Sequence, residues 1–148
     1  MTNSAFLKSY RDTLQELRVM EHQLEMCGIT GRPSGASSCH WDSLHRSTND
    51  ATAAAIQLQD GIEAAIGDLR QRLAVMERRF DGLVKLSRNY RDRCILRQYY
   101  QLSQTDAQIA ESLSISTRHA NRLRAELLAL LDNKSNMSTP VVACPHAS

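Results

Sequence analysis

The stretch Thr105-Asp106-Ala107-Gln108-Ile109-Ala110-Glu111-Ser112-Leu113-Ser114-Ile115-Ser116-Thr117-Arg118-His119-Ala120-Asn121-Arg122-Leu123 decides how the C-terminal part of this chain folds. Thr105 followed three positions later by Gln108 is a capping box, in which each side chain satisfies the other's backbone N–H at a helix start. A short helix follows through Ile109 and Leu113. Ser114-Ile115-Ser116-Thr117 then makes a turn, with Ser116 placed to cap a second helix over Thr117 to Leu131. That helix turns Ala120, Leu123, Leu127 and Leu130 to one side and Thr117, Arg118, Asn121, Arg122 and Ala125 to the other. A small Ala at the crossing, an apolar residue in the turn and a basic outer face form the pattern of a helix-turn-helix.

The outer face has a chemistry. A helix in a major groove must present groups that read base edges, and Arg suits guanine O6/N7 while Asn suits adenine N6/N7. Arg118 and Asn121 are the candidates for bases, with Arg122 shared between bases and phosphate. Arg124 suits phosphate, and Thr105 and Gln108 suit the sugar-phosphate chain. Thr117 and His119 complete the candidate face; His119 also suits packing or capping at the helix start. The implied partner is double-stranded DNA.

Charge distribution agrees with that assignment. The whole chain carries 18 Lys and Arg against 16 Asp and Glu, a net of only +2. Residues 87–134 hold 8 basic residues against 5 acidic ones, whereas residues 1–86 hold 10 against 11. Attraction for phosphate therefore belongs to the C-terminal segment alone.

Upstream, Leu7, Tyr10, Leu14, Leu17 and Leu24 recur at heptad spacing, predicting a helix from about Asn3 to Cys27 that ends at Gly28. A second stripe of Leu58, Ile62, Ala65, Ile66, Leu69, Leu73, Met76, Phe80 and Leu83 predicts a helix from about Asn49 to Leu86, with Asn49 or Asp50 as its cap. Two such stripes cannot bury themselves alone. They pair as a coiled-coil-like antiparallel hairpin, or as a homodimer or higher oligomer of helical bundles. Residues 28–49, rich in Gly, Ser and Thr, read as a flexible loop in which Trp41 acts as a pin or an anchor. Residues 133–148 read as a disordered tail. The expected fold is all-α: a stalk over 1–86, then a helix-turn-helix domain over 87–132, whose first helix spans Asn89 to Gln101.

Other chemistries find little support. Cys27, Cys39, Cys94 and Cys144 form no Cys-x-x-Cys, and Cys27 with Cys39, His40 and His45 matches no common zinc spacing. No metal, cofactor or catalytic site is expected, since phosphate loops, dinucleotide fingerprints and His-Glu-x-x-His motifs are all missing. The longest uninterrupted apolar run is Leu127 to Leu131, far short of the roughly 20 residues that span a bilayer, and the N-terminus has no secretory pattern. A cytoplasmic, non-membrane protein is the expectation.

Arg91-Asp92-Arg93-Cys94-Ile95-Leu96-Arg97-Gln98-Tyr99-Tyr100, with Thr105 to Ser116, resembles region 4 of the sigma-70 family. The paired helices, the Gly31-Arg32-Pro33-Ser34-Gly35 loop, the long helix and Ser116 to Leu123 together resemble small phage and prophage proteins with a sigma-region-4-like C-terminus, described by analogy as late-gene transcriptional regulators. The resemblance implies promoter DNA and RNA polymerase as partners, in a bacterial host cell. Two positions depart from the pattern: Ser114 stands where Gly is usual, and Ala120 stands where a larger β-branched residue is usual. Nothing upstream resembles region 2, so promoter melting is not implied. Two other functions fit the same residues: a small-terminase-like DNA-packaging subunit, which requires a ring of many copies, and an adaptor whose helix-turn-helix grips a protein.

Overall fold

The computed structural model describes residues 1–30 and 45–136, and among these every regular element is a helix. They are α1 (Asn3–Thr30), α2 (His45–Leu86), α3 (Tyr90–Leu96), α4 (Asp106–Ser112) and α5 (Thr117–Asn136). One wide helical turn, Arg97–Gln101, closes α3. No helix among the described residues is long and apolar enough to cross a membrane.

Several boundaries differ from expectation. α1 continues through Gly28 to Thr30, because one glycine costs a helix only about 1 kcal/mol and no glycine among the described residues adopts the positive φ of a terminating cap. α2 begins at His45, so Asn49 and Asp50 lie within the helix rather than capping it. The loop expected over 28–49 is thus helical at 28–30 and at 45–49, and α5 runs on to Asn136, into the segment expected to be a disordered tail. Trp41, Cys39 and His40, the remainder of that loop, and the rest of the tail with Cys144 lie outside the described residues.

The chain divides into two compact units, and the division is not at residue 86. One unit joins Met1–Asp12 to the chain from Met76 onward; the other is Thr13–Val75. The reason lies in the first unit's core. Ile95, Leu96, Tyr100, Ile109, Ala110, Ala120, Leu127 and Leu131 are buried there, and so are Phe6, Leu7, Tyr10, Phe80, Leu83 and Val84. Three short helices have too little apolar surface to close a core alone. The start of α1 and the end of α2 supply what is missing, with Tyr10 stacked on Phe80 at 4.8 Å between ring centroids. On α5 it is Leu131 that enters this core, while Leu130 is left exposed, since the helix face is set by steps of 3 and 4 from Ala120 through Leu127.

Hydrogen bonds tie the first turn of α1 to α5. The buried Asn3 side-chain amide donates to the Leu131 carbonyl at 2.8 Å, and the Ser4 N–H donates to the Asp132 carboxylate at 2.9 Å. Burial raises the Asp132 pKa, but the bonds from Ser4 and from the Asn3 backbone outweigh it and hold the carboxyl below its ordinary value.

In the second unit, α1 and α2 lie side by side, with the Glu21 carboxylate accepting from Arg70 at 2.8 Å. Ile66, Leu69 and Leu73 are buried there, whereas Leu14, Leu17, Leu24 and Ile62 are only half-buried.

Candidate nucleic-acid interface

α4 starts where the sequence placed it. The Gln108 N–H donates to Thr105 Oγ1 and the Thr105 N–H donates to Gln108 Oε1 at 2.9 Å, completing the reciprocal cap. The helix ends in a Schellman motif: Ser114 N–H donates to the Glu111 carbonyl and Ile115 N–H to the Ala110 carbonyl at 2.9 Å. This closure places Ser114 at φ +55°, the left-handed conformation that glycine adopts without cost. Ser103, after the wide turn, has the same φ. Wide-turn bonds from Leu102 N–H to Arg97 O and from Gln104 N–H to Gln98 O lead into α4.

After the turn, Ser116 Oγ accepts from the His119 N–H at 3.2 Å and so caps α5. Ala120 is buried at 1 % exposure, as is Ile109 on α4, so α5 packs on α4 through small and branched side chains. That packing rotates the other face of α5 outward. Thr117, Arg118, Asn121 and Arg122 are exposed, His119 is half-buried, and Ser116, Arg118, His119, Asn121, Arg122 and Ala125 line an open hollow.

Within this face Arg122 is the most constrained member. Its guanidinium lies 3.4 Å from His119 Nδ1 and 3.6 Å from the Glu126 carboxylate, so it is held along the helix by its neighbours at i−3 and i+4. The Glu126 partner was legible from that spacing, although only the basic residues were singled out. Among the described residues no hydrogen bond or ion pair is seen for Arg118.

Arg124 does not belong to the exposed face. Its guanidinium grips Asp106 at the start of α4 through two bonds, of 3.1 and 3.0 Å, and stacks 4.1 Å from the centre of the Tyr99 ring. Arg11 lies 4.0 Å from the same ring centre. Two guanidinium groups at that distance require opposite ring faces, so Tyr99 is sandwiched. The Arg124 side chain is 18 % exposed and that of Asp106 is 22 %. Burial works against the Arg124 charge, but the Asp106 bond and the neighbouring tyrosines prevail and raise its pKa. Assigning Arg124 to phosphate is therefore corrected: it is an internal tie between α4 and α5. Sequence offered no sign of this, because its partner is 18 positions away.

Arg124 still bears on the face. Its Nη2 donates at 3.3 Å to Asn121 Oδ1, which turns the Asn121 amide nitrogen away from it as a donor. Thr105 and Gln108 are exposed at the start of α4, and each has its side-chain oxygen engaged in the cap. Among the described residues no group of His, Cys, Asp and Glu is arranged to hold a metal ion. No protein-family model, curated protein or solved structure matches the chain.

Proposed function

We propose that this chain is a sequence-specific DNA-binding transcriptional regulator in which α4 and α5 act as a helix-turn-helix. The observation that carries the reading is the uncovered face of α5, where Arg118, Asn121 and Arg122 stand exposed on a helix whose opposite side is packed against α4. Arg118 and Asn121 supply the two side-chain types that read guanine and adenine edges in a major groove. Asn121, oriented by Arg124, offers its amide nitrogen to a base N7 or O4 and keeps a second lone pair on Oδ1 for an adenine amino group. The sigma-70 region 4 resemblance agrees with this reading and adds polymerase as a partner.

Selection of bound duplexes from a random pool tests binding and specificity together. The native chain enriches a defined motif. Arg118→Ala and Asn121→Ala each relax one position of that motif, at a cost of roughly 1–3 kcal/mol in discrimination, while helix content stays unchanged. Unaltered sequence preference in both variants refutes the assigned face.

A further inference from the structure

We infer that the unit Thr13–Val75 associates with a second copy of itself in an antiparallel arrangement, forming a four-helix bundle whose direction is set by charge. The sequence pattern leaves open how two copies meet; the surface of this unit is specific about it. Glu21, Leu24 and Glu25 of α1 and Glu63, Ile66, Gly67 and Arg70 of α2 line one cleft of about 500 Å³ along the seam between the helices. Its floor is apolar: Ile66 is buried and Leu24 half-buried. Leu17 and Leu14, one and two helical turns below Glu21 on α1, are also half-buried, so two helices leave one side of their seam open.

Apart from Glu21, which is paired to Arg70, the charges along this face are sorted by position. Towards the later turns of α1 and the earlier part of α2 stand Glu25, Glu63 and Asp60, all exposed and all acidic. Towards the opposite end stand Arg18, which lies one heptad before Glu25, and Arg70, one heptad after Glu63. Both arginines are exposed, and Arg70 keeps 65 % of its side chain in solvent while paired to Glu21.

A parallel partner would set acid on acid and base on base. An antiparallel one, related by a twofold axis near Gly67, sets Arg18 and Arg70 of each copy against Glu25 and Glu63 of the other. Gly67 suits the crossing point, since a Cβ there would meet nothing within 4 Å and the bare backbone admits close approach. The occupant that matches both the apolar floor and the charge order is thus the same face, inverted.

The test uses the full chain and no DNA, so it stands apart from the proposed function. Sedimentation or light scattering at tens of micromolar should give twice the chain mass. Glu25→Lys with Glu63→Lys puts cations at the acidic end of the face, and Arg18→Glu with Arg70→Glu puts acids at its basic end. Each double variant should be a monomer with native helix content, its self-association weakened tenfold or more. Mixed in equal amounts, the two should return to double mass as a one-to-one complex. A native chain that stays monomeric at 100 µM, as it would if its own residues 31–44 filled the cleft, overturns the proposal. So does a closed ring of many copies, or a dimer that survives both sets of charge reversals.

Discussion

Removing the Arg124 guanidinium separates a structural tie from a phosphate contact. Exposed ion pairs contribute about 0–1 kcal/mol, and breaking a fully buried pair costs about 3–5. With side chains 18 % and 22 % exposed and two bonds near 3 Å, the Asp106–Arg124 pair lies between these limits. A coupling of about 2 kcal/mol follows from the same bounds, and the cation over Tyr99 adds about 0.5–1. Arg124→Ala should therefore destabilise the fold by roughly 2.5–3 kcal/mol. Asp106→Ala should cost somewhat less, because the long Arg124 side chain can move its charge towards water. Chemical denaturation of both single variants and the double variant yields the coupling directly. A coupling below about 0.5 kcal/mol, with little loss in Arg124→Ala, would refute the internal role. The slope of DNA affinity against salt gives a second readout: it should be unchanged in Arg124→Ala, whereas loss of one phosphate contact lowers it by about 1.

Opposite substitutions at Ser114 and Gly82 should both stabilise the fold. Ser114→Gly relieves about 1–2 kcal/mol of left-handed strain against about 0.4–1 of added chain entropy, for a net gain near 0.5–1, while Gly82→Ala inside α2 meets no neighbour within 4 Å and gains up to about 1. A fall in melting temperature for either variant counts against the backbone assignment at that site. Tyr10, buried with a hydroxyl that finds no partner among the described residues, has its pKa pushed up to about 12 by desolvation and then by Glu77 and Asp81. The folded state therefore favours the neutral phenol, and stability complete below pH 10 should fall as pH rises from 10 towards 12. Tyr10→Phe should lessen that alkaline loss without destabilising the fold at pH 7, the remainder coming from Tyr100, whose pKa burial also raises; an identical alkaline profile in the variant contradicts this. Asp132 has the reverse sign: its lowered pKa gives stability present above the ordinary 3.8 and lost as pH falls through the lower folded value. Asp132→Asn should thus destabilise at pH 7 and converge with the native chain towards pH 2, a comparison that denaturation at both pH values makes.

What the sequence revealed and what it hid divide by distance along the chain. The Thr105–Gln108 box, the Ser116 cap and the outward placement of Arg118, Asn121 and Arg122 all rest on relations within four residues. Each was legible from spacing and side-chain chemistry. Helix ends were less so, because single glycines and capping residues are weak signals against the packing of a long helix. The relations that span the chain were invisible. Asp106 with Arg124, Tyr99 between Arg11 and Arg124, and Asn3 with Leu131 leave no periodic trace. This is why the boundary expected at residue 86 cut through a core that residues 1–12 and the end of α2 complete.

The bonds from Asn3 and Ser4 to Leu131 and Asp132 join positions 128 apart in the chain. During synthesis the earliest turn of helix must wait for almost the last residues described before it can seat. The unit that bears the exposed arginines is therefore assembled late on the ribosome and at full loop-closure cost. A chain cut short before residue 131 would carry every side chain of the outer α5 face and still lack the clamp that holds that helix in place.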